Sequence, residues 1–456
     1  MKRFRNVVIL LFAFALIVAA CSDDEGGDSG DSGDTTTTAA TDTTAAASLE
    51  GTTVTVFGPE SSENEAGAMQ DALNVFAEAN GMTVTYTGAR DFSDQINAQA
   101  AGGNPPDIAV FPQPGKVIDF GLQEFILPIP QELVDFSRPQ WPAGTLETVT
   151  AGDQVWGLPN KTDLKSLLWM NNAIFAAGGY EVPETLDALW ALSTQMIADG
   201  ITPWCIGVES GPATGWTFTD WMEDITLRIE GADFYDQWVS NEITFDDERV
   251  QAIGQTILDV WNTPGSTFAA GGSIATTAFG ANGEPLVNGD CAMHRQASFF
   301  ASFFPEGTTI TPEGDLSVAY FPSNEGRPVL TAGTYVSAFR DAPEVWAVME
   351  YLTSSEYSTA RQAAQSERVN AEVEGGGANS GYLSANLEQD LSVYNELEQT
   401  FVGILQTADP ARFDASDLMP AAVGAGTFWT EGTSAINGDK TVADAFAAIQ
   451  ASWPTS

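Results

Sequence analysis

The residues best suited to binding a ligand lie in one short stretch of the sequence, 203–224. Here an apolar segment leads through a Gly/Pro-rich loop into a predicted helix, and Trp216, Asp220 and Trp221 lie where the loop ends. Indole rings pack on apolar faces such as the C–H face of a sugar, and carboxylates accept hydrogen bonds from hydroxyl groups. The stretch is therefore compatible with a carbohydrate-binding site.

A purely structural interpretation of the same residues is also open. Thr217 can be the N-cap of the helix, with Asp220 completing a capping box three residues later. Trp216 and Trp221 then fall at the positions of a hydrophobic staple, in which the two indoles pack on each other. The two interpretations do not exclude each other.

A second group of polar residues alternates along a predicted strand. Lys161, Asp163 and Lys165 share one face of this strand because side chains alternate between faces. This face either lines a ligand cleft or is a solvated surface. The chain has only 17 Lys and Arg residues, so two of them beside one Asp make the cleft a reasonable expectation.

The segment 291–304 supplies further candidates. Arg295 and Gln296 carry several hydrogen-bond donors and could reach ligand hydroxyls. The phenylalanines at 299–304 are expected to be core residues. His294 is the only histidine of the chain, and we expect it to be structural.

The sequence offers little enzymatic chemistry. It contains no Gly-rich phosphate-binding motif, and a single histidine excludes a His-rich metal site and disfavours a Ser-His-Asp triad. Paired carboxylates are the one alternative, because glycosidases use two, and Asp220, Glu223 and Asp224 on one helix could form such a pair. We expect no catalytic residue, no metal and no cofactor.

The charge balance limits the possible partners. The chain has 62 acidic and 17 basic residues, giving a formal net charge of −45. Such a surface repels nucleic acids and anionic lipids. We interpret the excess as adaptation to salty surroundings or as an aid to solubility.

The N-terminus has the pattern of a secretion signal. Lys2, Arg3 and Arg5 precede an apolar run, 7–20, that is shorter than the about 20 residues needed to span a bilayer. The run ends in Val18-Ala19-Ala20-Cys21, which resembles the bacterial lipobox. Residues 1–20 are thus a predicted lipoprotein signal peptide and Cys21 a predicted lipidation site; an ordinary signal peptide with a chance cysteine is the alternative. Residues 21–50, rich in Asp, Gly, Ser and Thr, form a predicted disordered acidic tether.

Two cysteines remain after Cys21. Secretion places Cys205 and Cys291 in an oxidising compartment, and we expect them to form a disulfide. In the chain-entropy model, such a bridge contributes about 4–5 kcal/mol. Two buried free thiols are the alternative.

The first half of the body alternates strands and helices. Strands are predicted at 52–57, 82–87 and 107–111, and helices at 65–79 and 92–101, which indicates a parallel α/β sheet. Ligands bind such sheets beyond the carboxyl ends of the strands. The loops at that edge carry Glu60, Asp91 and Gln113. Further helices are predicted at 185–199, 217–228, 247–261 and 343–354.

Five motifs, taken together, resemble one protein family. These are 103–109 (GNPPDIA), 157–161 (GLPNK), 203–224, 291–296 (CAMHRQ) and 417–424 (DLMPAAVG). Their order is similar to that in the extracellular solute-binding proteins of ABC importers, in particular the sugar-binding branch with α-glucoside and maltose binders. The resemblance covers nearly everything after the tether.

The resemblance implies an α/β, two-lobed periplasmic-binding-protein-like fold, with crossing segments and a ligand cleft between the lobes. The first lobe would comprise 51–160 and about 318–365, and the second 161–317 and about 366–456. Crossings are expected at 155–160 and 316–322. A turn at 332–334 would bring Gly333 and Thr334 near the ligand, and Trp429 is a further stacking candidate.

The resemblance also implies the function. The chain would capture an α-glucoside or another oligosaccharide by hinge closure, without catalysis, and deliver it to a membrane permease. It would be a monomer held at the outer face of the cell membrane, or in the periplasm, by the lipid on Cys21. A secreted glycoside hydrolase and a receptor of the same fold for a polyamine are the alternatives. The predicted ligand contacts are Glu60, Asp91, Gln113, Lys161, Asp163, Trp216, Asp220, Trp221, Arg295, Gly333, Thr334 and Trp429.

Overall fold

A computed structural model describes residues 48–371, 379–408 and 410–454. The predicted signal peptide, the lipidation site at Cys21 and nearly all of the predicted tether lie outside the described residues. They remain predictions from the sequence.

The N-terminal strands are rich in β-branched and aromatic residues. They form a parallel sheet because a helix connects each strand to the next. Strands β1 (Thr53–Gly58), β2 (Thr83–Gly88) and β3 (Ile108–Phe111) pair in parallel in the order β2-β1-β3. Helices α1 (Glu63–Ala79) and α2 (Phe92–Ala101) connect them. The predicted strand–helix alternation is confirmed to within one or two residues.

Later strands complete this first sheet. After the short pair β4 (Thr150–Ala151) and β5 (Gln154–Val155), strand β6 (Leu158–Leu164) pairs with a long strand near the C-terminal third of the chain, Val329–Ala338. That long strand also pairs antiparallel with β3 and parallel with Ala411–Phe413. The first sheet therefore collects strands from three distant parts of the sequence.

A second sheet is built mainly from the middle of the chain. In spatial order, its strands are Leu316–Tyr320, Leu167–Asn171, Met293–Arg295, Trp204–Cys205 and Thr267–Phe268. The bounds of these strands, and of the two late strands of the first sheet, are β7 (Leu167–Asn171), β8 (Trp204–Cys205), β9 (Thr267–Phe268), β10 (Met293–Arg295), β11 (Leu316–Tyr320), β12 (Val329–Ala338) and β13 (Ala411–Phe413).

Helices cover both sheets. The remaining α-helices are α3 (Pro114–Leu122), α4 (Gln131–Ser137), α5 (Asn172–Gly178), α6 (Leu186–Ala198), α7 (Trp216–Ile229), α8 (Ala232–Val239), α9 (Glu248–Asn262), α10 (Gly283–Asn288), α11 (Pro343–Thr353), α12 (Ser355–Asn370), α13 (Glu396–Thr407), α14 (Ala415–Leu418), α15 (Trp429–Ile436) and α16 (Val442–Ala451). Short 3₁₀ segments lie at Arg138–Gln140, Leu146–Val149, Gly211–Ala213, Ile274–Thr276, Phe279–Asn282, Ser298–Phe303 and Leu391–Val393, and a π-helical segment at Val423–Phe428.

The hydrophobic core divides in the same way as the sheets. One cluster of buried residues packs on the first sheet, and two others pack on the second sheet and the helices around it. The predicted α/β, two-lobed fold is confirmed. The lobes are called here the first lobe, built on the first sheet, and the second lobe, built on the second sheet.

The connections between the sheets differ in detail from the prediction. Strand β6 remains in the first sheet as far as Leu164, because it pairs with β12 up to Thr331. The chain enters the second sheet only at Leu167, later than the crossing expected at 155–160. Gly333 and Thr334 lie within β12 and not in a turn. The residue limits of the lobes remain a prediction.

The predicted disulfide is confirmed: Cys205 and Cys291 are bonded, with their Cα atoms 5.5 Å apart. The bond lies beside the contact between β8 and β10, where Met293 pairs with Trp204. Within the described ranges, no helix combines the length and the apolar character needed to cross a membrane.

Candidate functional site

A cavity of about 220 Å³ lies between the lobes. From the first lobe it is lined by the loops after β1, β2 and β3 and by β6 and β12; from the second lobe it is lined by loop and helix-end residues. Eight of the predicted contacts line it: Glu60, Gln113, Lys161, Asp163, Trp216, Gly333, Thr334 and Trp429.

Aromatic rings from the second lobe form one wall of the cavity. Trp216 packs edge-on against Phe279, with ring centroids 5.1 Å apart, and lies 6.1 Å from Phe299. Phe303 joins Phe279 at 5.2 Å. These four partly buried rings, called here the aromatic wall, expose apolar faces on which the C–H face of a sugar can pack.

The start of α7 places Trp216 in this wall. Gly215 is the N-cap, with φ +111°, and its close contact with the Trp429 carbonyl oxygen leaves no room for a Cβ atom. The predicted N-cap at Thr217 is wrong: Thr217 donates its hydroxyl hydrogen to the Gly207 carbonyl oxygen.

The predicted staple is also wrong. The N-cap is Gly215, two residues before the predicted cap at Thr217. Trp216 faces the cavity, and Trp221 points into the core. The Trp221 ring packs against three other indoles and against Phe321. In the part of the chain that the structure describes, the rings of Trp216 and Trp221 are not in contact with each other.

A buried ion-pair network forms the polar side of the cavity in the first lobe. Lys161 Nζ donates to Glu60 Oε1 at 3.0 Å and lies 3.5 Å from Asp163 Oδ1. Arg361 donates to the other Glu60 oxygen at 2.8 Å. Burial by itself raises the pKa of Glu60, but Lys161 and Arg361 outweigh it and lower this pKa to about 2. Glu60 is thus a fixed anion held by two cations.

A second network lies at the passage between the sheets. Lys165 Nζ donates to Asp220 at 2.6 Å and to Asp414. Burial raises the pKa of Asp220 to about 6, against the lowering effect of Lys165 and Arg295. Burial, together with Asp414, raises the pKa of Asp417 well above its usual value.

The same network contains the one candidate metal cluster found in the described residues: Asp220, Glu223 and Asp414 bring oxygens within 4.8 Å of one another. Lys165 already places a positive charge among them. Glu223 accepts hydrogen bonds from the backbone N–H groups of residues 415 and 416. These contacts make the cluster a buried support for the start of α14, residues 414–417, which lines the cavity.

Three buried polar atoms in the cavity wall have no hydrogen-bond partner. They are Gln113 Oε1, Trp429 Nε1 and Asp163 Oδ1, and of these Asp163 Oδ1 has an ion-pair partner, Lys161 Nζ at 3.5 Å. Buried polar groups normally have partners, because an unsatisfied group costs about 1–3 kcal/mol. The acceptor on Gln113 and the donor on Trp429 match a ligand that carries hydroxyl groups, because a hydroxyl group both donates and accepts hydrogen bonds.

Four predicted contacts do not line the cavity. Asp91 is exposed and accepts a hydrogen bond from Gln95. Trp221 lies in the core, as described above. Asp220 and Arg295 are fully buried and bonded to each other at 3.1 Å, so neither side chain can reach a ligand directly. Gln296 likewise turns inward and binds the backbone of Ala297.

Several cavity residues were not among the predicted contacts. They are four aromatic residues, of which only Phe299 and Phe303 were expected in the core, and several polar residues: Glu65, Arg90, Phe92, Ser93, Phe279, Phe299, Phe303, Asp414, Ser416 and Asp417. For Arg90 a signal existed, because it adjoins Asp91 in a loop at the ligand edge of the parallel sheet. Nothing in the local sequence indicates that Phe279 and Phe299 meet at one wall.

The fold and the site define a class of protein: a two-lobed receptor with a ligand cavity between its lobes. A family model described as bacterial extracellular solute-binding protein matches residues 59–359. The chain belongs to this family, as the sequence motifs predicted, and is thus the solute-binding component of an ABC importer.

Two curated relatives are similar over nearly the whole chain. The alpha-glucosides-binding periplasmic protein AglE of Rhizobium meliloti is 36% identical over 89% of this chain and 88% of its own. The osmoprotective compounds-binding protein GgtB of Synechocystis is 36% identical over 88% of this chain and 92% of its own.

Solved structures share the fold at low sequence identity. The bacterial solute receptor AcbH, described as having an exclusive preference for β-D-galactopyranose, has a TM-score of 0.71 at 16% identity and covers 88% of this chain and 98% of its own. A maltose-bound Thermotoga maritima MalE3 has a TM-score of 0.65 at 16% identity, with 88% and 98% covered.

Proposed function

We propose that this protein captures a neutral carbohydrate, an α-glucoside or a related small oligosaccharide, and delivers it unchanged to a membrane permease. The observation that carries the proposal is one cavity whose lining combines an aromatic wall with Gln113 and Trp429, each of which has a buried polar atom without a hydrogen-bond partner. Sugar rings offer both an apolar face and hydroxyl groups at their edge, and so fit both features.

The relatives support the same ligand class. AglE is named for alpha-glucosides and GgtB for osmoprotective compounds, and each matches nearly all of this chain. The first name favours glucosides such as maltose. The second name specifies no sugar, and we include trehalose and sucrose as two further disaccharides to test.

The charges around the cavity favour a neutral ligand over a polyamine. Cations already lie against the aromatic wall: Lys165 Nζ is 5.4 Å from the Trp216 ring and Lys161 Nζ 5.9 Å from the Phe299 ring. A second cation at these rings would be repelled. The anion Glu60 is likewise held by Lys161 and Arg361 and needs no cationic ligand.

We further propose that no reaction follows binding. The carboxylates considered for a hydrolase are bound to the protein: Asp224 accepts from Ser166, Arg228 and Arg295, and Glu223 from the backbone. Capture would proceed by hinge closure, in which burial of the ligand stabilises the closed form. Anchoring through a lipid on Cys21 and a monomeric state belong to the same proposal.

Titration calorimetry with maltose, trehalose, sucrose, glucose and spermidine tests the function. We expect saturable binding of at least one sugar and no release of monosaccharide on prolonged incubation. Heat from spermidine alone would instead identify a polyamine receptor, and released monosaccharide would identify a hydrolase.

A matched pair of variants locates the site. Trp429→Phe removes the unpartnered Nε1 donor of the cavity and keeps an aromatic ring, so we expect sugar affinity to fall by about 0.5–1.5 kcal/mol. Trp453 also has an unpartnered Nε1 but does not line the cavity. Trp453→Phe should leave the affinity unchanged. Equal effects of the two substitutions would contradict this site.

A further inference from the structure

Arg90 is the one exposed cation among the cavity residues, and it reaches from the first lobe to the second. It follows β2 in the first lobe, and its guanidinium carbon lies 5.9 Å from the centroid of Phe279 and 5.8 Å from that of Phe303. Both rings belong to the aromatic wall of the second lobe. About half of the Arg90 side chain (52%) remains exposed.

The first lobe directs Arg90 toward these rings. Glu65 lies 3.8 Å from the guanidinium and is itself fixed in the first turn of α1, where it accepts the Ser62 hydroxyl hydrogen at 2.7 Å. The carboxylate thus holds the cation on the first lobe while the rings meet it from the second. Separation of the lobes must break the cation–π contact and leave the pairing with Glu65 intact.

We propose that Arg90 is a positioning residue that holds the two lobes together across the cleft, by cation–π contact with Phe279 and Phe303, and so sets how much of the unliganded protein is closed. This inference extends the proposed capture by hinge closure. A cation over an aromatic face is attracted by the ring quadrupole, and the contact exists only when the lobes are near each other. Affinity depends on the fraction of molecules in the binding-competent form, so loss of the contact lowers affinity without any lost ligand contact.

Distance measurement without ligand tests this inference directly. Spin labels at Val75→Cys and Val182→Cys, two exposed positions on α1 and between α5 and α6, report the separation of the lobes by pulsed electron paramagnetic resonance. The full chain carries Cys21→Ser so that only these thiols are labelled. We expect Arg90→Gln to shift the unliganded distance distribution toward the open form, and Arg90→Lys to restore part of the closed population.

Arg249 provides a matched control. It is 51% exposed and lies 4.3 Å from the Phe234 ring, but the two lie on neighbouring helices of the second lobe, α9 and α8. Arg249→Gln should therefore leave the distance distribution unchanged. The variant Phe279→Leu/Phe303→Leu should open the lobes as Arg90→Gln does, and the triple variant should open them no further.

Ligand binding gives the second measurement. Arg90→Gln should weaken the affinity for the sugar that binds best roughly two- to five-fold, the factor expected for one exposed cation–π contact. Weaker affinity with an unchanged unliganded distance distribution would overturn the inference, because Arg90 would then act on the ligand itself. If the wild type bound no sugar, the proposed function would fail, while the distances would still decide the role of Arg90.

Discussion

Lys161 illustrates how single residues serve two purposes in this cavity. Its ammonium group neutralises Glu60 and Asp163, and the same group lies 5.9 Å from the Phe299 ring. Its charge is thus compensated within the first lobe while it borders the ligand space. A cavity whose charges are already paired selects a ligand by hydrogen bonds and shape.

Among single residues, Trp216 gives the most direct prediction about ligand affinity. If a sugar packs on its ring, Trp216→Ala should weaken affinity by about 1–3 kcal/mol, by analogy with the stacking of bases on aromatic rings. Titration calorimetry measures the change. Trp190, which stacks on Trp221 outside the cavity, provides the control: Trp190→Ala should lower the melting temperature and leave the affinity unchanged. An unchanged affinity in Trp216→Ala would leave this residue a packing role only.

His294 gives a prediction about pH. Burial, with a smaller effect of Arg295, lowers its pKa to about 4, although its ring nitrogen Nδ1 lies 2.9 Å from the Cys205 carbonyl oxygen. Below pH about 6.5 an unfolded chain takes up a proton that the folded imidazole refuses, so this residue's contribution to stability is present above that pH and is lost as the pH falls toward 4. Because the chain has one histidine, imidazole NMR of the untagged protein gives one titration curve. We expect a midpoint near 4; a midpoint near 6.5 would show an exposed ring.

At the scale of elements, the first turn of α7 connects packing to the site. Gly215 begins the helix with a positive φ, and an added Cβ would overlap the Trp429 carbonyl oxygen. The same turn places Trp216 in the aromatic wall, and Trp429 lines the cavity from α15. The position of both tryptophans therefore depends on a close approach that only glycine permits.

Substitution of this glycine should affect stability and binding together. Gly215→Ala combines the cost of positive φ, about 1–2 kcal/mol, with a steric clash of about 1–3 kcal/mol, and displaces the two tryptophans. Gly231 begins α8 with φ +82°, and a Cβ atom added to it would meet no other atom within 4 Å. Gly231→Ala should therefore lower stability only by the cost of the positive φ, about 1–2 kcal/mol, and leave sugar affinity unchanged. Urea unfolding and calorimetry measure both variants, and equal losses would show that the contact with Trp429 is unimportant.

For the molecule as a whole, the main electrostatic feature is the excess of negative charge. The formal net charge of −45 comes from 62 acidic and 17 basic residues, and many of the basic residues are engaged in buried or cavity ion pairs. Most of the acidic surface is therefore uncompensated, and its self-repulsion opposes the compact state.

Salt should for this reason stabilise the protein. Raising sodium chloride from about 0.1 M to about 1 M shortens the screening length from about 10 Å to about 3 Å, so we expect a clear rise in melting temperature. An uncharged osmolyte of equal osmolality separates screening from general solvent effects. A melting temperature that does not respond to salt would contradict adaptation of this surface to saline surroundings.

Sequence patterns alone were enough to predict the α/β class, the order of the first strands and helices, the disulfide and four first-lobe residues that line the cavity. These features are local or follow from chemistry carried by single residues: alternation predicts strands, and polar residues at strand ends mark the ligand edge. Glu60, Gln113, Lys161 and Asp163 were predicted on this basis, and all four line the cavity.

Which residues of the second lobe face the cavity could not be predicted without the folded structure. Trp216 and Trp221 are alike in the sequence, yet one lines the cavity and the other lies in the core, because α7 begins at Trp216 after the N-cap Gly215 and the two side chains then point in different directions. Asp220 and Arg295 were expected to bind ligand, but they form an ion pair with each other in the protein interior. The aromatic wall joins residues far apart in the chain, and the physical reason it escapes prediction is that packing between distant segments leaves no periodic pattern in the sequence.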